Sequence, residues 1–177
     1  MKTWQLGLMA LLVILAGLLG FVATRPSHFM MARSVEIAAP PEKIYALVAD
    51  FHEWPKWSPW DKKDPAMKKT YSGAATGVGQ VYAWEGNRDV GKGRMTLLAL
   101  EPGKLVRVKL EFLDPGPFTN DTHFAFIASG DKTNVFWTLE GESDGLLQKA
   151  MSLLMDRMVG PDFEAGLARM KSAAETK

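Results

Sequence analysis

Between residues 80 and 140 apolar and polar side chains alternate in five runs, "QVYAW", "RMTLLAL", "KLVRVKLEF", "THFAFIA" and "NVFWTLE". A period of two marks strands that bury one face. "EPGK" at 101–104 places Pro then Gly at the centre of a type II turn, and "SGDK" (129–132) and "GNRD" (86–89) supply two further turns. Connections this short join antiparallel neighbours. The β pattern starts near residue 66, which predicts a meander of about six strands. Its apolar face needs a cover. From Gly145 onward the pattern turns helical, with Leu147, Ala150, Met151, Leu154, Met155 and Met158 on one face. Gly160-Pro161 is expected to kink or break this helix, and Phe163, Leu167 and Met170 resume the stripe. The terminal helix is the only long cover the chain offers.

The turns set the register, and a slip of one residue would turn every side chain over. Folding around Pro102-Gly103 pairs Leu100 with Leu105, Leu97 with Val108, Met95 with Leu110 and Arg94 with Glu111. Leu97–Val108 and Met95–Leu110 face inward, and Arg94–Glu111 is a cross-strand ion pair on the outer face. Around "GNRD", Tyr82 and Trp84 face inward, with Gly91 or Gly93 opposite Trp84 leaving room for the indole. Around "SGDK", Phe126 meets Val135 and Phe124 meets Trp137, while His123, Phe136, Thr138 and Glu140 face outward. The expected concave wall is Tyr82, Trp84, Met95, Leu97, Val106, Val108, Leu110, Phe112, Phe124, Phe126, Val135 and Trp137. Met151, Met155 and Met158 approach it from the helix. Such a wall packs either as a solid core or around an opening. Its aromatic and methionine content suits an adaptable apolar site.

Ahead of the meander, "SVEIA" (34–38) reads as a strand and "APPEKIYALVADF" (39–51) as a helix burying Ile44, Leu47, Val48 and Phe51. "FHEWPKWSPWDKKDP" follows, holding three of the six tryptophans, Trp54, Trp57 and Trp60. Pro55 and Pro59 forbid one regular helix through it. Three readings are open: core packing, a lid over a pocket, or contact with a membrane.

"WQLGLMALLVILAGLLGFVA", residues 4–23, carries no charge. Twenty helical residues span roughly 30 Å, one hydrocarbon core. Phe21 and Ala23 make a poor signal-cleavage site, so an uncleaved anchor is the better reading and a removed signal the alternative. The expected organisation is an anchor over 1–24, a linker over 25–33 and one domain over 34–176. A net charge of +1 projects no field toward nucleic acid. The absence of cysteine removes disulfides and thiolate chemistry.

Motifs for catalysis are missing. No G-x-S-x-G, H-E-x-x-H or G-x-x-x-x-G-K-[ST] occurs. "SGAATGVGQ" precedes a strand and lacks the phosphate-loop lysine. Asp50, His52 and Glu53 would point apart on a helix, so neither metal nor cofactor is expected. "NDT" (120–122) matches a glycosylation sequon, a pattern common by chance. Tyr82 is the one titratable group on the expected wall, and the only candidate for catalysis.

"SVEIAAPPEKIYALVADFHEWPKWSPW", "YSGAATGVGQVYAWEGNRDVGKGRM", "TNVFWTLEGE" and "GPDFEAGLARMKSAAE" together resemble the START-like, helix-grip (Bet v 1-like) domains. These form the SRPBCC superfamily, which includes polyketide cyclase/dehydrase-type domains, and the chain is similar to its membrane-anchored subgroup. The resemblance implies an α+β fold: a curved antiparallel sheet gripping a long C-terminal helix, here preceded by one transmembrane helix. It also implies a cavity mouth near Trp54, Trp57 and Trp60, read as lid and seal. The expected ligand-binding residues are Trp54, Trp57, Trp60, Tyr82, Trp84, Met95, Leu97, Val108, Leu110, Phe112, Phe124, Phe126, Trp137, Met151 and Met155. The expected function is membrane-tethered binding of a hydrophobic or amphipathic, lipid-like small molecule, with an enzymatic role disfavoured. A polyketide cyclase/dehydratase-like enzyme and a structural domain with a filled core are the alternatives. Expected partners are the ligand and the lipid bilayer, through residues 4–23. The expected location is a bacterial inner membrane, with the domain outside the cytoplasm. The ligand's identity and the oligomeric state stay open.

Overall fold

In the computed structural model, residues 3–114, 117–142 and 145–176 are described. Helix α1 (Thr3–Ala23) is followed by strand β1 (His28–Ile37) and a short helix α2 (Pro41–Ala46). A 3-10 turn (Phe51–Lys56) and helix α3 (Trp60–Lys63) come next. Strands β2 (Lys68–Gly73), β3 (Gln80–Glu85), β4 (Lys92–Glu101), β5 (Leu105–Asp114), β6 (Phe118–Ser129) and β7 (Lys132–Glu142) complete the sheet, and helix α4 (Leu146–Glu175) ends the chain. The seven strands are antiparallel in the order β1-β7-β6-β5-β4-β3-β2. This is the expected α+β helix-grip arrangement, with an apolar helix in front of it.

The inward pairs expected from the turns are present. Met95 lies opposite Leu110, Leu97 opposite Val108, Phe124 opposite Trp137 and Phe126 opposite Val135. Near the β4–β5 turn the register differs. Leu100 pairs with Val106, not Leu105, and an irregularity between Leu97 and Ala99 restores the phase. Such a bulge takes up one extra residue without turning the inner face outward. Thr138, expected outside, is buried, whereas His123 keeps partial exposure beside Glu140.

Two expectations about the frame are corrected. The linker over 25–33 is shorter, because β1 begins at His28 and pairs with β7 from His28–Glu142 to Ile37–Thr133. Met31 is buried and Met30 exposed, so a strand alternation there reads in the sequence as an unpatterned apolar pair. Helix α4 runs unbroken through Gly160-Pro161. Pro161 and Arg157 are both exposed, so the carbonyl that loses its helical partner faces water. The side chain of Leu147, expected on the helix stripe, lies outside the described part.

The core joins Ile37, Ile44, Val48, Phe51, Leu97, Val106, Val108, Phe124, Val135 and Trp137 to Phe163, Leu167, Met170 and Ala174 of the second half of α4. Helix α1 is different. It is long and apolar enough to cross a membrane, and none of it is buried.

On the outer face Arg94 donates two hydrogen bonds to Glu111, at 2.8 and 3.0 Å, and Lys109 stands 3.1 Å from the same carboxylate. The Arg94 guanidinium holds the Glu111 carboxyl down at about 2, from an ordinary 4.5. A depressed carboxylate stabilises the fold above its unfolded value, and that contribution is lost as pH falls toward the folded one. Replacing Glu111 by Gln is therefore expected to flatten acid unfolding between pH 4.5 and about 2. Circular dichroism against pH measures this; an unchanged profile contradicts the linkage.

Candidate ligand cavity

The tryptophan segment is built on the end of α2. The last carbonyls of a helix have no partner within it. Here the indoles supply donors just past the end of α2: Trp54 Nε1 donates to the Val48 carbonyl at 3.0 Å and Trp57 Nε1 to the Leu47 carbonyl at 2.7 Å. The buried Gln80 amide fixes the start of the segment, accepting from the Phe51 N–H at 2.8 Å and donating to Asp50 at 2.8 Å. Trp57 is fully buried, and Trp54 nearly so.

Both tryptophans meet a wider aromatic stack. Trp137 lies face to face with Phe163, with centroids 3.8 Å apart, and stacks on Phe124 at 4.9 Å. Trp57 and Trp60 meet Trp137 edge-on at 5.4 and 5.9 Å. The Trp137 indole donates to Thr122 Oγ1 at 2.9 Å, and that hydroxyl donates to the Thr138 carbonyl at 2.7 Å.

Beyond this stack the sheet and the first half of α4 separate around a cavity of about 370 Å³. That size lies within the range of small-molecule sites. Ten of the expected residues line it: Trp54, Trp60, Tyr82, Trp84, Met95, Leu110, Phe112, Trp137, Met151 and Met155. Met158 joins them. Trp84 lies across Gly93, where any Cβ would come within 2.6 Å of the indole, and its own N–H is satisfied by the Val90 carbonyl at 3.0 Å. The expected glycine at this pair is thus required by the ring.

Trp57, Leu97, Val108, Phe124 and Phe126 do not line the cavity. They are buried behind it, in the part of the sheet that α2 and the second half of α4 cover, where Tyr45 packs edge-on against Phe126 at 6.0 Å. The tryptophan segment is therefore divided. Trp57 is core, while Trp54 and Trp60 reach the cavity.

The wall is mostly apolar, and charge gathers in Asp61, Lys63, Arg88, Asp89, Asp114 and Asp162. Asp162 is paired with Lys63 at 2.6 Å, and Asp61 with Lys69. Burial, with Tyr71 beside it, pushes the Tyr82 phenol well above its ordinary value. At neutral pH this phenol is a hydrogen-bond donor and not a base. Among the described residues, no group of three His, Cys, Asp or Glu could hold a metal ion.

Sequence reasoning missed Ser58, Asn120, Thr122, Leu139 and Phe163 in the lining. The signal for two of them was present. Counting back from inward Phe124 in steps of two gives Thr122 and Asn120. The sequon at Asn120 is accordingly no surface feature, because Asn120 is 4% exposed and lines the cavity.

The model of the family described as "Polyketide cyclase / dehydrase and lipid transport" matches residues 28–175. The chain belongs to this family. The match begins where β1 begins, which leaves α1 outside the polyketide cyclase/dehydrase and lipid transport domain. Solved structures with the same fold include norcoclaurine synthase from Thalictrum flavum, with a TM-score of 0.62 and 15% identity over 82% of this chain and 85% of that one. A protein from Nitrosospira multiformis aligns with a TM-score of 0.61 and 18% identity, over 84% of this chain and 97% of that one. The di-domain ARO/CYC StfQ from the steffimycin biosynthetic pathway aligns with a TM-score of 0.63 and 12% identity, over 84% of this chain and 51% of that one. At these identities the likeness carries the fold alone. No curated protein matches the sequence.

The depth difference between the tryptophans has a measurable consequence. Trp57→Ala removes a fully packed indole and is expected to cost about 3–5 kcal/mol. Trp60→Ala is expected to cost less, since that ring already borders open space on one side. Chemical unfolding of the two variants checks this; equal losses would place Trp60 in solid core.

Proposed function

We propose that this protein is a membrane-tethered binding domain for a hydrophobic or amphipathic small molecule held between the sheet and α4. The observation that carries the reading is the cavity of about 370 Å³, lined by aromatic, aliphatic and methionine side chains. An opening of this kind leaves wall atoms without packing partners, which lowers stability unless a ligand fills it. The chemistry favours binding over catalysis: two lining carboxylates are tied to lysines, and Tyr82 stays protonated.

The tether is residues 4–23, an apolar helix of spanning length with every side chain outside the core. Two features at its end support this. Arg25 packs its guanidinium over the Phe21 ring at 4.0 Å, as suits a cation at a membrane boundary. Lys149 of α4 donates to the Ala23 carbonyl at 3.3 Å, which holds the first half of α4 beside the end of the membrane helix. That half of α4 exposes Leu146, Met151, Leu153, Leu154 and Met158. Met151 and Met158 also line the cavity, so its mouth is set to meet the bilayer surface from which an apolar ligand would come.

The reading is checked on the full chain. Alkaline carbonate is expected to leave it in the membrane pellet. In lipid nanodiscs, anthracene, whose absorption overlaps tryptophan emission, is expected to quench the protein saturably. Leu110→Phe, which adds bulk to the wall, is expected to weaken that binding by about tenfold. Release by carbonate refutes the tether, and quenching that never saturates refutes the cavity.

A further inference from the structure

Three uncharged polar side chains of the cavity wall make no hydrogen bond with a described residue, the Ser58 hydroxyl, the Tyr82 phenol and the Asn120 amide, and Asn120 is the one that can both donate and accept through separate atoms. Asn120 is 4% exposed and lines the cavity, yet its amide makes no hydrogen bond with any described residue. Among the described residues the one sealed side-chain polar atom without a partner is Arg25 Nε, so the Asn120 amide is not sealed off but opens onto the cavity, available to whatever enters it. Its neighbour Thr122 is already engaged, accepting from Trp137 and donating to the Thr138 carbonyl. The amide is also given room. It stands opposite Gly141 on β7, where a Cβ would come within 2.2 Å of Asn120 Oδ1. Any other residue at 141 would push the amide out of its place.

Asn120 belongs to a row that crosses the inner face of the sheet. Asn120 lies opposite Leu110, Leu110 opposite Met95, and Met95 opposite Tyr82. At about 4.8 Å per strand, the backbones at Asn120 and Tyr82 stand roughly 14 Å apart, with the apolar floor of Leu110 and Met95 between them. A ligand lying on Leu110 and Met95 would therefore bring one end to Asn120.

The surroundings limit what that end can be. The cations of the lining are Lys63 and Arg88; Lys63 is held by Asp162, and the side chain of Arg88 is exposed. A carboxylate at Asn120 would be buried without a charged partner, which is strongly unfavourable. A hydroxyl or carbonyl oxygen carries no such cost, and an amide can both donate and accept.

We propose that Asn120 contacts the ligand directly and selects apolar molecules bearing a neutral hydroxyl or carbonyl oxygen, over plain hydrocarbons and over carboxylates. This rests on the cavity being a binding site. The amide is then satisfied by ligand and not by protein.

Three probes separate the possibilities in the full chain in nanodiscs: anthracene, 2-hydroxyanthracene and anthracene-2-carboxylate, each followed by tryptophan quenching. The hydroxyl compound is expected to bind roughly five- to tenfold more tightly than anthracene, the worth of one good hydrogen bond. The carboxylate is expected to bind more weakly than the hydroxyl compound. In Asn120→Leu the ratio of the hydroxyl compound to anthracene is expected to fall to near one. Asn120→Ala, which adds no bulk, carries the same ratio test if the leucine variant does not fold. A preference for the hydroxyl compound that survives the substitution overturns the role of Asn120 and leaves the cavity reading standing. Carboxylate binding as tight as that of the hydroxyl compound overturns the selection for neutral oxygen. No saturable binding of anthracene by the parent protein overturns both this proposal and the binding function beneath it.

Discussion

The stacking of Trp137 on Phe163 ties this fold together. Trp137 projects from the middle of β7 and Phe163 from the middle of α4, and their rings lie 3.8 Å apart. Trp57 closes against the same indole from the tryptophan segment, and Phe124 supports it from the next strand. Sheet, segment and helix thus meet at one side chain, whose single polar group is satisfied by Thr122. On one side of this contact the apolar surfaces touch, from Phe163 through Leu167 and Met170 to Ala174. On the other side they separate, and the cavity begins.

The separation follows from what α4 presents to the sheet. Its second half sets side chains of the core against β1 and the tryptophan segment. Its first half offers flexible methionines and leucines, and five of the apolar residues there are exposed. A contiguous apolar surface left in water is costly for a soluble protein and marks a surface that meets something else. The hydrogen bond from Lys149 to the end of α1 puts that surface next to a helix long and apolar enough to cross a membrane. Opening, apolar rim and the apolar helix α1 are therefore features of one end of the molecule.

Much of the sheet was legible in the sequence because two constraints acted together. A period-two pattern fixes which side chains share a face, and a short turn fixes which of them are opposite. Met95–Leu110 and Phe124–Trp137 follow from these alone, and the partner of Trp84 is narrowed to Gly91 or Gly93, of which the structure has Gly93. The bulge near Leu98 did not follow, because an irregularity between two regular stretches leaves no mark in the alternation. The depths of Trp57 and Trp60 were not legible either. They depend on which indole reaches the Leu47 carbonyl, a tertiary contact that neither proline nor periodicity encodes. The helix was expected to yield at Gly160-Pro161, and did not, because the lost hydrogen bond falls on the exposed side. Asn120 shows the opposite failure. Its inward position was implied by the parity of Phe124, but a polar residue within an apolar row reads as an interruption, and its worth shows only in the shape of the cavity.

The central claim is that the space between α4 and the sheet is an apolar binding site, and the methionines test it directly. Of the ten in the chain, Met67, Met95, Met151, Met155 and Met158 line the cavity, while Met31 and Met170 are buried elsewhere. Methyl NMR of the full chain in nanodiscs, with ¹³C-labelled methionine and assignments by single substitution, reports on each group separately during titration with anthracene. Saturable shifts of the five lining methyls, with Met31 and Met170 still, are the expected result. Shifts confined to methionines outside the cavity, or none that saturate, would contradict the account.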